Sequence, residues 1–269
     1  MLASCKARRS PLITQWPEAH HMSKRRYQDN KRDAWHRIAR SKGYRTRSAY
    51  KLKQIQERFG ILREGDVVLD VGCHPGGWTQ VAVEEVREGG LVVGVDLLAT
   101  SPVEGARIII GDITDEVTIG QIRDSLGERE LNVVISDISP NLTGRYDTDQ
   151  TISLELSTMV LDASMQFLPP GGCFVTKIFQ GTGIEGLIDA ARDRFSNVQR
   201  FAPTASRSAS SETYLICQNR LPRPRDRTRG KTALEQVQLH LSELGVVVEE
   251  EVDEPPTKVG FRRLQKREE

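Results

Sequence analysis

The stretch DVVLDVGCHPGGW, residues 66–78, decides the fold. A short apolar run, DVVLDV, ends at a glycine turn, and a helix-type pattern runs on from about Trp78 to Val86. An apolar run too short for a helix, bounded by glycines, reads as a strand buried on both faces. A strand that turns at once into a helix is the first half of a parallel β–α–β unit. The glycines fall at 72, 76 and 77, so the turn departs from the G-x-G-x-x-G dinucleotide fingerprint. Glycines still allow unusual dihedrals and close approach of backbone N–H groups to a ligand. The helix N-terminus beyond them favours a carboxylate.

Downstream the alternation continues. Strands are predicted at LVVGVD (91–96), ARIIIGD (106–112), LNVVISD (131–137) and GCFVTKIF (172–179). Helices are predicted near 116–126, 149–168 and 184–194, the second closed by Pro169-Pro170-Gly171-Gly172. NVQRFA (197–202) and ETYLICQN (212–219) follow with no helix between them, so they form a hairpin and the last strand runs antiparallel. Upstream, RSAYKLKQIQERFG reads as a helix ended by Gly60. The expected fold class is α/β, Rossmann-like: a mostly parallel seven-stranded sheet with an antiparallel last strand and helices on both faces.

The 269 residues fit one large domain with extensions. Residues 1–22 are expected to be a disordered extension, with Met22 resembling a natural start. Residues 23–43 form a basic arm, 44–219 the folded domain, and 220–269 a charged tail with one short helix near 232–245. The net charge of +1 hides an uneven distribution. Ser23 to Lys53 carries 12 Lys/Arg against Asp29 and Asp33, and a second basic run spans 219–231. The segment 243–254 is acidic. Basic blocks beside a folded core suggest a polyanion such as RNA, although a solvated face is the plainer reading of the second. Tyr27, Trp35, Tyr44 and Tyr50 lie in the first block, where they can stack on splayed bases or pack in the core. Cys5, Cys73, Cys173 and Cys217 form no CxxC pair, so neither a metal knuckle nor a disulfide framework is expected. A reducing cytoplasm is the simplest compartment. No apolar run is long enough for a membrane span or a secretory leader. A monomer is expected.

Three acids end three successive predicted strands: Asp96, Asp112 and Asp137. Asp96 is placed to accept from a ribose diol, and Asp112 from an adenine amino group. An acidic rim suits a cationic sulfonium cofactor better than a pyrophosphate, which it would repel. Trp78 can pack on the cofactor or on the sheet. A second set converges on the same edge: Lys51 from the first helix, Asp137, Lys177 in CFVTKIF, and Glu212 opening the antiparallel strand. Such a site suits in-line methyl transfer to a sugar hydroxyl, which needs a base and aligned reactants. Lys177 is the candidate base and Asp137 its orienting partner. Lys51 and Glu212 organise charge and ribose, and the set titrates as one network. Asn141 either positions the nucleotide or caps a helix.

The chain resembles the FtsJ/RlmE family of RNA 2'-O-ribose methyltransferases. RSAYKL, DVGCHPGGWTQ, VGVDLL, GDITDE, SDISPNLTG, GGCFVTKIFQG and SSETYLIC occur in the family's order, over about Tyr44 to Gln218. The resemblance implies a class I methyltransferase fold and S-adenosylmethionine as methyl donor. It implies a catalytic tetrad at Lys51, Asp137, Lys177 and Glu212, with Lys177 as proton acceptor. The implied cofactor contacts are Gly76, Trp78, Asp96, Asp112 and Asp137. One departure is Cys73-His74, where the family turn often has two small residues; His74 adds a cofactor contact or caps the loop, and no metal site is expected. The resemblance is closest to the branch acting on a uridine of large-subunit (23S) rRNA. A tRNA anticodon-loop methyltransferase and a non-catalytic RNA-binding assembly factor remain the alternatives. A nicotinamide dehydrogenase fits poorly, because it lacks G-x-G-x-x-G.

Overall fold

The computed structural model describes residues 34–140, 142–206, 211–225 and 230–246. The expectations for residues 1–22, for Tyr27, for Asn141 and for the acidic run beyond 246 fall wholly or largely outside these.

Seven strands form one sheet: β1 (Val67–Val71), β2 (Leu91–Asp96), β3 (Ala106–Ile110), β4 (Val133–Ser136), β5 (Cys173–Phe179), β6 (Phe195–Phe201) and β7 (Glu212–Arg220). Their order across the sheet is β3-β2-β1-β4-β5-β7-β6. The first five are parallel, and β7 lies antiparallel between β5 and β6. The helices are α1 (Ala34–Ser41), α2 (Ala49–Phe59), α3 (Gly77–Val86), α4 (Glu116–Leu126), α5 (Tyr146–Ser164), α6 (Ile184–Arg194) and α7 (Ala233–Glu243).

Alternation along the strands sends side chains to two cores. Val68, Val92, Ile135, Val175, Tyr214 and Ile216 pack with α2 and α3 on one face. Leu69, Val93, Val134, Phe174, Ile178 and Leu215 pack with α4, α5, α6 and α7 on the other. Two buried faces explain why β1, β2, β4 and β5 read as continuous apolar runs.

Three elements differ from the sequence expectation. Residues 34–41 of the basic arm are helical, because Ala39 buries and Trp35 and Tyr44 both meet the Tyr50 ring, at 5.2 and 5.7 Å between centroids. α5 begins at Tyr146 rather than 149, with Asp147 and Asp149 in its first turn, where carboxylates are favoured. It stops at Ser164, four residues short, since Pro169 disfavours helical geometry in the residue before it. The stretch after residue 219 is more than a tail. α7 is built onto the domain by Asp162 of α5, which accepts from the Ala233 and Leu234 N–H groups at 2.7 and 3.0 Å. Arg194 of α6 adds bonds to the Lys231 carbonyl and the Gln236 side chain. Thr232 and Glu235 close a reciprocal capping box at the same end. Among the described residues, no helix is long and apolar enough to cross a membrane.

One acid sits where a strand would ordinarily be apolar. Asp70 of β1 is fully buried on the α2/α3 face, with one carboxylate oxygen bonded to Thr79 Oγ1 at 2.6 Å and the other without a partner among the described residues. Burial pushes its carboxyl up to about 7, against the effect of the Thr79 bond and helped by Asp137 and Asp96. The folded state therefore holds a proton that the unfolded chain has released. Stability on this account is greatest below the ordinary carboxylate range and is lost as pH rises towards 7. A rise from 3.8 to about 7 corresponds to roughly 4 kcal/mol at 1.36 kcal/mol per pH unit. Urea denaturation of Asp70→Asn at pH 5 and pH 8 should show the variant gaining on the native chain by about 3 kcal/mol at the higher pH, the part of the shift that lies above pH 5. An equal difference at both pH values would contradict a protonated Asp70.

Candidate active site

Every parallel strand ends at one edge of the sheet, and β7 begins there. Read across in strand order, this edge carries Asp112 just past β3, Asp96 at the end of β2, the glycine turn after β1, Asp137 just past β4, Lys177 in β5 and Glu212 at the start of β7. Neighbouring strands lie about 4.8 Å apart, so the row is continuous. It divides into a cradle over β3-β2-β1 and a charged cluster over β4-β5-β7.

In the cradle, Gly72 and Gly76 have φ of +76° and +109°, values an L side chain rarely adopts. The first amides of α3 have no intrahelical acceptors and open towards the turn. Asp96 accepts from the His74 N–H at Oδ2 and the Leu98 N–H at Oδ1, both at 2.8 Å. Each carboxylate oxygen keeps a second lone pair for a ligand hydroxyl. Asp112 Oδ1 takes both the N–H and the hydroxyl of Thr114. Its Oδ2 makes no hydrogen bond among the described residues. The His74 ring meets the Thr100 hydroxyl at 3.2 Å and so ties the glycine turn to the loop after β2.

Trp78 and Gly76 play parts that sequence reading did not separate. The indole is 3% exposed, donates to the Ser48 carbonyl at 2.9 Å and stacks on Tyr214 at 5.5 Å. Its ring is thus committed to the core. A methyl group on Gly76 would come within 2.7 Å of Arg45 Nη1, and one on Gly77 within 2.1 Å of Thr46 Oγ1. These two glycines make room for the N-terminal arm.

The cluster is assembled by strand register. β5 pairs with β7 so that Lys177 faces Tyr214 and Phe179 faces Glu212. Residues two apart share a face, so Lys177, Tyr214 and Glu212 all point to the α2/α3 side, where α2 presents Lys51. Lys177 Nζ donates to the Asp137 carbonyl at 2.8 Å and lies 3.3 Å from Asp137 Oδ1. Lys51 Nζ donates to Glu212 Oε1 in a short ion pair. Both lysine side chains are about nine-tenths buried or more, at 7% and 6% exposure.

Tyr214 joins the pairs. Its hydroxyl lies 2.7 Å from both Asp137 Oδ1 and Glu212 Oε1. A phenol has one proton, so it serves one carboxylate at a time while a lysine serves the other. Burial, then the Asp137 and Glu212 charges, hold the phenol well above its ordinary range, so it stays a donor. Burial alone would push the Asp137 carboxyl up; Lys177, Lys51 and the Tyr214 hydroxyl outweigh it, and the net effect is below the usual carboxylate range. Asp137 is therefore ionised. The period-two spacing Glu212-x-Tyr214 was the available signal for Tyr214.

The FtsJ-like methyltransferase family model matches residues 44–220. "Ribosomal RNA large subunit methyltransferase E" of Methanothrix thermoacetophila is 46% identical over 195 residues, covering 72% of this chain and 75% of that one. The protein of the same name from Halorubrum lacusprofundi is 44% identical over 187 residues, covering 69% and 70%. Among solved structures, a Plasmodium falciparum protein assigned as a ribosomal RNA methyltransferase superposes with a TM-score of 0.61 at 26% identity, covering 67% of this chain and 100% of that one. With the match spanning the whole sheet, cradle and cluster alike, the chain belongs to the FtsJ-like methyltransferase family.

Proposed function

We propose that this chain transfers the methyl group of S-adenosylmethionine to the ribose 2'-hydroxyl of a uridine in large-subunit rRNA, with Lys177 accepting the hydroxyl proton. The observation that carries the proposal is the buried Lys177–Asp137–Tyr214–Glu212–Lys51 chain next to an acid-rimmed cradle on one sheet edge. The relatives' names supply the rRNA, and the basic arm supplies electrostatic affinity for it.

The cradle fits the donor. Asp96 and Asp112 retain acceptor capacity for ribose hydroxyls and an amino group, and an acidic rim suits a sulfonium. The donor, when bound, supplies a methyl group with its leaving group already in place. The protein's task is the nucleophile, because a sugar hydroxyl is a very weak acid. Lys177 serves as base in its neutral form. A neutral amine has two N–H groups and one lone pair. The Asp137 carbonyl and carboxylate accept the two N–H groups, so the lone pair takes the remaining direction and meets the hydroxyl proton there. The oxygen–carbon bond forms as the carbon–sulfur bond breaks, and the proton ends on Lys177 Nζ. Asp137, held ionised, stabilises the ammonium that results. Glu212 and Lys51 neutralise each other and hold the ribose side of the cleft. The reading carries with it a cytoplasmic monomer acting on free rRNA or on the assembled subunit.

A methyl-transfer assay with labelled S-adenosylmethionine, offered to large subunits, free rRNA and tRNA lacking the modification, should label a single rRNA uridine ribose. Label on tRNA would overturn the substrate but keep the chemistry. Lys177→Ala should lower the rate by at least about 100-fold, the usual contribution of a general base, while cofactor affinity by calorimetry stays within about twofold. Lys177→Arg should be equally inactive, because a guanidinium does not deprotonate; full activity in either variant removes Lys177 as base. Asp96→Ala should weaken cofactor binding about tenfold, the loss of a charge-assisted hydrogen bond, and unchanged affinity would sink its ribose role.

A further inference from the structure

Residues 43–51 run from the basic arm into α2 across the outside of the glycine turn. Gln80 of α3 holds this segment at two points, donating to the Gly43 carbonyl at 3.0 Å and accepting from the Arg45 N–H at 2.9 Å. The Arg45 side chain then reaches the cradle. Its Nη1 donates to the Pro75 carbonyl at 3.0 Å and the Ser101 carbonyl at 2.6 Å, and its Nη2 to the Pro102 carbonyl at 2.5 Å. Pro75 lies in the glycine turn, and Ser101 and Pro102 lie in the loop after β2. One guanidinium thus bridges the two loops that bound the cradle. Gly76 lacks a side chain where Arg45 passes, and Thr46 fills the space beside Gly77. Six residues further on, the same segment delivers Lys51 to Glu212.

We propose that Arg45 is a positioning residue that sets the separation of the two cradle loops, and so couples the basic arm to cofactor binding. The proposal rests on the reading of the cradle as an S-adenosylmethionine site. Three of the five guanidinium N–H donors are spent on backbone carbonyls. The other ties between these loops, from Cys73 and the His74 ring to Thr100 and from the His74 N–H to Asp96, all lie on the strand side of Pro75. Without the bridge, the fraction of molecules with both loops in the binding geometry falls, and apparent affinity falls by the same factor. Electrostatics alone predicts the opposite sign. Removing a cation from beside an acidic rim should tighten a cationic ligand. A loss of affinity therefore reports geometry.

The test uses the full chain, with S-adenosylmethionine affinity measured by calorimetry and methyl transfer measured on a large-subunit rRNA transcript. Arg45→Ala should raise the cofactor Kd and KM about tenfold or more, with kcat at saturating cofactor within about threefold. Arg45→Lys, which offers a point donor in place of a fork, should recover only part of the loss. RNA affinity without cofactor, and its salt dependence, should stay as in the native chain. Gln80→Ala, which frees the segment without touching the guanidinium, should shift cofactor affinity the same way, and the double variant should lose less than the two losses added. Unchanged cofactor affinity in Arg45→Ala overturns the proposal. So does weaker RNA binding with a salt slope reduced by about one, which marks a phosphate contact. Strict additivity with Gln80→Ala also counts against it. A native chain that binds no S-adenosylmethionine removes the cradle reading itself, whereas native binding with an unaffected Arg45→Ala removes only the role of Arg45.

Discussion

The antiparallel register of β7 on β5 is the constraint on which the site depends. Setting Phe179 opposite Glu212 and Lys177 opposite Tyr214 puts an amine, a phenol and a carboxylate on one face within two residue pairs. A slip of one residue would turn Glu212 and Tyr214 to the α5/α6 face, away from Lys177 and Lys51. The hydrophobic pattern forbids that slip. Leu215 and Cys217 fill the core on the α5/α6 side, while Tyr214 and Ile216 fill the α2/α3 side. Packing thus specifies the catalytic geometry. The buried charges specify it again, because each lysine and each carboxylate would be left uncompensated if its partner moved away.

This dependence explains what could and could not be read from the sequence. The parallel strands were legible because strands buried on both faces are short, apolar and bounded by turn residues. Asp96, Asp112 and Asp137 were legible because each follows such a run directly. Lys177 stood out as a charge inside CFVTKIF. Tyr214 did not, since an aromatic residue in TYLIC reads as core until register shows its hydroxyl reaching two carboxylates. Trp78 was ambiguous for a related reason: its ring direction depends on where α2 lies, and a linear pattern carries no such information. α1 was hidden by its charge. Four turns of context would have revealed an amphipathic stripe, but eight residues are too few, and its stability comes from Trp35 and Ala39 meeting the domain. The docking of α7 was invisible because Asp162 lies 71 residues away from the Ala233 amide it caps.

The glycine turn carries two constraints at once. Positive φ at Gly72 and Gly76 shapes the backbone for a ligand, while the missing side chains at Gly76 and Gly77 admit Arg45 and Thr46. A glycine-rich turn read only as a ligand cradle therefore omits half of its physical content. The side away from the cradle is a packing surface, and what packs on it is the segment that also holds Lys51.

That shared segment links the two halves of the edge. The acidic half is built for a cation and the mixed half for a proton transfer, and neither lies on a loop free to move alone. Gln80, Arg45 and Thr46 press the segment on the cradle, and Lys51 at its far end is buried against Glu212. Any displacement of the segment would open the cradle loops and expose an unpaired carboxylate together. The energetic penalties of those two events add, so the segment favours one position, and cradle and charged cluster are held in a single geometry. In-line transfer gains most from such an arrangement, because misalignment of the reacting atoms is what a displacement of this kind tolerates least.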